Sequence, residues 1–138
     1  MRYVLFLLPL LLLPCSVAHA DIALIAHASI AKVDEDTVQK IFTGRVIEVG
    51  GVNVVPVNAG SGSTLRNRFL KAFLNQDEEK YTAYWTVRRY IGKGKPPREL
   101  AGSADIIAFV QATPGAMGYV EEADLKSGLS GLNVLLRK

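Results

Sequence analysis

Residues 52–64 run Val52-Asn53-Val54-Val55-Pro56-Val57-Asn58-Ala59-Gly60-Ser61-Gly62-Ser63-Thr64. Val52 to Val57 is β-branched, with Pro56 near its end, and predicts a strand. Gly60 to Thr64 alternates glycine with hydroxyl residues, which predicts a turn. Leu65, Phe69, Ala72 and Phe73 follow at the spacing that points one helix face at a core. A strand that passes through a glycine-serine turn into a helix is a building unit of α/β domains.

The segments on either side repeat that alternation. Ile22-Ala23-Leu24-Ile25-Ala26 is a short continuous apolar run, the pattern of a strand covered on both faces. Asp34 or Asp36 can cap a helix that carries Val38, Ile41 and Phe42 and stops at Gly44. Asp34, Glu35 and Asp36 together suit a helix start, where carboxylates complement the macrodipole. A third helix is predicted from about Asp77 to Ile91, with Tyr81, Tyr84, Trp85 and Ile91 inward and Tyr90 among its aromatics. Gly92 to Pro97 is loop. Ser103 is the expected N-cap of a helix over 104–112 that carries Ile106, Ile107, Phe109 and Val110. Pro114-Gly115 predicts a turn, and Ala116–Val120 and Leu132–Leu136 two closing strands. The fold class is therefore α/β, a sheet flanked by helices, with the strand order left open.

The first twenty residues read as a signal peptide. Arg2 supplies a positive start, Tyr3 to Leu13 is apolar apart from Pro9, and Ala18-His19-Ala20 has the small-x-small pattern of a cleavage site. The run is shorter than the roughly 20 residues a membrane span needs, and Pro14 before Cys15 argues against a lipid anchor. Cleavage before Asp21 leaves residues 21–138 as one domain, bound for the periplasm or the exterior. The chain has one cysteine, Cys15, which leaves with the leader, so neither a disulfide framework nor a thiol mechanism is expected. The formal charge of +3 includes Arg2. The exported part is only mildly basic, and nucleic acid is not an expected partner.

Catalytic patterns are missing. His27 is the one histidine beyond the leader and has no second ligand at metal-binding spacing. No nucleophile elbow and no phosphate-loop lysine is present. Glu121-Glu122 follows a strand and is expected to be solvated. The sequence thus predicts no enzyme, no metal and no cofactor. The Gly60–Thr64 loop is the candidate site, and two readings stay open for it. Flexible glycines, the hydroxyls of Ser61, Ser63 and Thr64, unpaired helix amides and Arg66 could hold a small oxyanion. Equally, the loop could be a plain strand-to-helix turn capped by Ser63 or Thr64. Lys80 to Arg98 contains Lys80, Arg88, Arg89, Lys93, Lys95 and Arg98 and no acid. It reads as a solvated face or as a surface that attracts anions.

Three ordered segments carry a family resemblance. Ile41-Phe42-Thr43-Gly44-Arg45, then Val54 to Asn58 with Gly60-Ser61-Gly62-Ser63, then Thr113-Pro114-Gly115-Ala116-Met117-Gly118-Tyr119-Val120 resemble motifs of phosphate-type solute-binding proteins of ABC transporters. Tyr84-Trp85 and Gly94-Lys95-Pro96-Pro97 are similar to a short, single-lobe branch of that superfamily. The resemblance implies one lobe of a type 2 periplasmic-binding-protein fold, with Ser61, Gly62 and Ser63 at anion-contacting positions and Gly60, Thr64 and Arg66 beside them. It implies phosphate or a similar oxyanion as ligand, and a membrane transporter or sensor protein as partner. The arginine that this family carries shortly before the loop is not matched, since Val57, Asn58 and Ala59 stand there, so Arg66 or Arg68 would have to supply the charge. One lobe also leaves half the usual ligand shell open, for a second chain such as a homodimer partner to close. The alternative is an accessory or sensory protein-interaction module that has lost ligand binding.

Overall fold

The computed structural model describes Pro14 and residues 21–138. The leader read at 1–20, with Cys15 and its cleavage site, otherwise lies outside the described residues. In chain order the elements are β1 (Ile22–His27), α1 (Glu35–Phe42), β2 (Glu48–Val49), β3 (Val52–Asn53), β4 (Val55–Ala59), α2 (Thr64–Phe69), α3 (Glu78–Tyr90), β5 (Arg98–Leu100), α4 (Ser103–Ala112), β6 (Ala116–Glu121) and β7 (Leu132–Arg137). The main sheet has the order β5-β4-β6-β1-β7. β4 runs parallel to β5 and β6, while β1 is antiparallel to β6 and β7, so the sheet is mixed.

Successive residues of a strand point to opposite faces, and β6 shows what covers each. At Gly118 an added methyl would meet Ile106 Cγ2 at 2.7 Å, so this face lies directly under α4. On the other face the Tyr119 ring stacks on Phe69 with centroids 3.7 Å apart and packs near Phe42. The continuous apolar run of β1 follows from this arrangement: Ile22 to Ala26 are buried, with strands on both sides of them. Below Phe69 the helix widens into a π-helical turn, Leu70–Leu74. That turn keeps Leu70, Phe73 and Leu74 buried, and it ends at Asn75, whose φ of 52° asparagine tolerates better than most residues.

Four sequence expectations need correction. The strand expected over Val52–Val57 is two strands. Val54 N–H donates to Ile47 O, at the base of the β2–β3 hairpin, whereas Val55 N–H donates to Gly115 O, just before β6. The hydrogen-bonding partner changes between adjacent residues, and Gly50-Gly51 is the turn that folds the hairpin back. Ile91, expected inward, is 56% exposed because α3 ends one residue earlier. Tyr90 is exposed as well. Ser103 is the first residue of α4 and not its cap; Gly102 holds that position, with no side-chain capping bond. Asp34, by contrast, caps α1 by accepting from Thr37 N–H at 2.7 Å. Among the described residues no helix is long and apolar enough to cross a membrane.

Candidate functional site

The end of β4 is fixed by a buried polar chain. Asn58 is fully buried, and its side-chain amide donates to Tyr81 Oη at 3.1 Å, while Tyr81 donates to Phe42 O at 2.8 Å. Tyr119 Oη donates to Asn58 Oδ1 at 3.0 Å and accepts the Ala59 N–H at 2.9 Å. Each side-chain polar atom of Asn58, Tyr81 and Tyr119 has a partner in this network, as burial demands. Burial also pushes both phenols above the usual tyrosine pKa, so they stay protonated donors. The chain leaves the sheet at Gly60 from a rigidly held strand.

Gly60 O accepts from Ser63 N–H at 3.1 Å and closes a turn in which Gly62 has φ +76°, a backbone setting that favours glycine. Ser63, not Thr64, is the cap of α2, accepting the Arg66 N–H at 3.2 Å. Ser61 faces β5. Its hydroxyl donates to Glu99 Oε1 at 2.6 Å.

Arg66 lies beneath the loop and is only 5% exposed. Its Nε donates to Glu78 Oε2 and its Nη1 to Glu99 Oε1, both at 2.8 Å, and the guanidinium sits 5.2 Å from the Tyr81 ring centre. The Ser61 hydroxyl is the largest influence holding the Glu99 carboxyl below its usual pKa. Partial burial opposes it, and the Arg66 charge and the Ser61 N–H reinforce it. Beside this cluster opens a recess of about 210 Å³, lined by Ser61, Glu99, Trp85 and the α3 residues Thr82, Thr86 and Arg89.

The structure thus brings Gly60, Ser61, Gly62, Ser63, Thr64 and Arg66 into one place, but Arg66 is committed to two carboxylates. Arg68, the other arginine expected to reach the loop, pairs with Glu121 at 2.5 Å. Glu122 pairs with Arg137, so neither member of the Glu121-Glu122 pair is simply solvated. The basic run divides in two. Arg88, half-buried, donates to Gly44 O and lies against Tyr84 and Trp85, while Lys80, Arg89, Lys93, Lys95 and Arg98 are exposed, Arg98 lying over the Phe109 ring. Of the aromatics expected in the core, Tyr81 and Trp85 are buried. His27 shares its Nδ1 with Ser29, and no group of three or more metal-ligating side chains occurs among the described residues.

Glu99 and Glu78 went unread in the sequence. Glu99 reaches the loop because β5 pairs in parallel with β4, with Asn58 opposite Glu99. A three-residue strand carries no apolar period to announce that pairing.

No protein-family model matches the chain, and no curated protein matches it. Solved structures do. An ABC-type phosphate transport receptor from Vibrio cholerae superposes with a TM-score of 0.62 at 12% identity, over 84% of this chain and 46% of that one. A phosphate ABC transporter substrate-binding protein from Clostridium perfringens, solved with bound phosphate, gives 0.62 at 20% identity, over 84% and 45%. PstS from Borrelia burgdorferi gives 0.63 at 20% identity, over 84% and 47%. The chain therefore has the α/β fold of these proteins and spans about half their length, as the single-lobe resemblance implies. These likenesses lend no support to a homodimer or to a sensory partner.

Proposed function

We propose that the domain is a solute-binding module, not an enzyme, that is exported by the leader at 1–20 and takes phosphate or a similar small oxyanion at Gly60–Thr64. One observation carries the reading: the loop already holds an oxyanion, the Glu99 carboxylate, through the Ser61 hydroxyl and the Arg66 guanidinium. Charge-assisted hydrogen bonds of this kind are the stronger sort, and they suit phosphate oxygens equally well. The loop is rigid at its root through Asn58, Tyr81 and Tyr119, so little ordering is left to oppose binding.

The same geometry sets the strength. By itself this lobe covers one side of the ligand, where enclosure normally contributes much of the affinity for small ligands. The module alone binds with a dissociation constant on the order of 1 mM, about 4 kcal/mol, and a transporter closes the open side. Calorimetric titration with phosphate, with sulfate alongside, tests this in the wild type and in Ser61→Ala/Ser63→Ala. The double variant loses at least tenfold in affinity. Equal affinity in the two proteins removes the loop as the site.

A further inference from the structure

Resting on that reading of the loop, we infer that Glu99 is a tethered competitor for the anion seat: its carboxylate fills the position on Ser61 and Arg66, and a free oxyanion binds only as Glu99 swings out.

The argument begins with an asymmetry between seat and occupant. The Arg66 side chain is 6% exposed and keeps two other partners, Glu78 Oε2 at 2.8 Å and Ala59 O at 3.4 Å, so it stays in place whatever Glu99 does. The Glu99 side chain is half exposed. It stands on β5, a three-residue strand at the edge of the sheet, just after the Gly92–Pro97 loop. Among the described residues its carboxylate is held by Ser61 and Arg66. Turning it into solvent breaks the contacts to Ser61 and Arg66.

Charge supports the same conclusion. Arg66, Arg89 and Glu99 line the recess and Glu78 pairs with Arg66, so with Glu99 seated these four side chains sum to zero charge. A phosphate dianion would sit beside a fixed negative charge in a partly water-free setting, where like charges repel strongly. With Glu99 withdrawn the cluster is net positive, and the Ser61 hydroxyl and one Arg66 edge are released. The recess adjoining that edge, about 210 Å³, has room for several waters of roughly 30 Å³ each. A tetrahedral oxyanion fits there together with part of its hydration. Thr82, Thr86 and Arg89, which line the recess, then offer it further polar contacts.

The test is a phosphate titration of the wild type, Glu99→Gln, Glu99→Ala and Ser61→Ala/Glu99→Ala, with circular dichroism and thermal melting to confirm folding. Tethered competition predicts at least tenfold tighter binding in Glu99→Ala. Glu99→Gln falls between it and the wild type, because the amide keeps an acceptor on Ser61 but drops the charge. Adding Ser61→Ala to Glu99→Ala removes most of the gain. If the wild type binds and Glu99→Ala binds equally or more weakly, the inference fails and the loop remains the site; weaker binding would make the carboxylate a ligand contact. If neither folded protein binds phosphate, both the competitor and the oxyanion reading fall.

Discussion

Replacing Tyr119 with phenylalanine tests how the loop is held. The ring stays stacked on Phe69 at 3.7 Å, so burial and aromatic contact are preserved, and only the hydroxyl is lost. Two buried groups lose their partner together: the Ala59 N–H, whose residue is 1% exposed, and Asn58 Oδ1, whose residue is fully buried. An unsatisfied buried polar group costs about 1–3 kcal/mol, and the carbonyl oxygen sits at the lower end, so the sum is about 2–4 kcal/mol. That is a sizeable share of an ordinary stability of about 5–15 kcal/mol, yet the variant should still fold. Urea unfolding should show a midpoint lowered by about 1–3 M with an unchanged slope. Tyr90→Phe, at an exposed site, should change stability by less than about 0.5 kcal/mol. A loss below about 0.5 kcal/mol in Tyr119→Phe would show that the hydroxyl does not carry the end of β4.

The same phenols predict an alkaline limit. Burial raises the pKa of Tyr81 and Tyr119 above the usual value near 10, so their contribution is whole below about pH 10 and lost as pH climbs from there. Stability measured from pH 9 upward should fall less steeply in Tyr119→Phe than in the wild type. Two glycines separate backbone strain from collision. Gly115 has φ +79°, and a methyl there would lie 2.0 Å from Asn53 O, so Gly115→Ala should lose at least about 2 kcal/mol and displace the β2–β3 hairpin. Gly62, at φ +76° with open space around it, should lose only about 1 kcal/mol as alanine in the same urea assay.

What the sequence made legible depended on period and on local chemistry. The apolar run of β1 is written in adjacent residues and forms as expected; of the two cap candidates, Asp34 and Asp36, Asp34 is the cap; and Leu65, Phe69 and Phe73 are buried as their spacing implies, although the helix turns π-helical from Leu70. The turn at Gly60–Thr64 was legible for the same reason. Non-local pairing was not. Val54 and Val55 look alike in sequence but bond to Ile47 and Gly115 respectively, and nothing near Glu99 announces the parallel partner that brings it to Ser61. Arg66 shows the limit most directly. Its position in the first turn of α2 was readable, whereas its engagement by Glu78 and Glu99 depends on α3 and β5 arriving from elsewhere in the chain.

The most direct test of the oxyanion seat is a residue-resolved amide NMR titration of the protein with phosphate. Saturating shifts should gather at Gly60, Ser61, Gly62, Ser63 and Thr64, and extend to Glu99, Thr82 and Arg89 along one common binding curve. Unmoved loop amides at tens of millimolar phosphate, or saturating shifts confined to another face such as the start of α4, would contradict it.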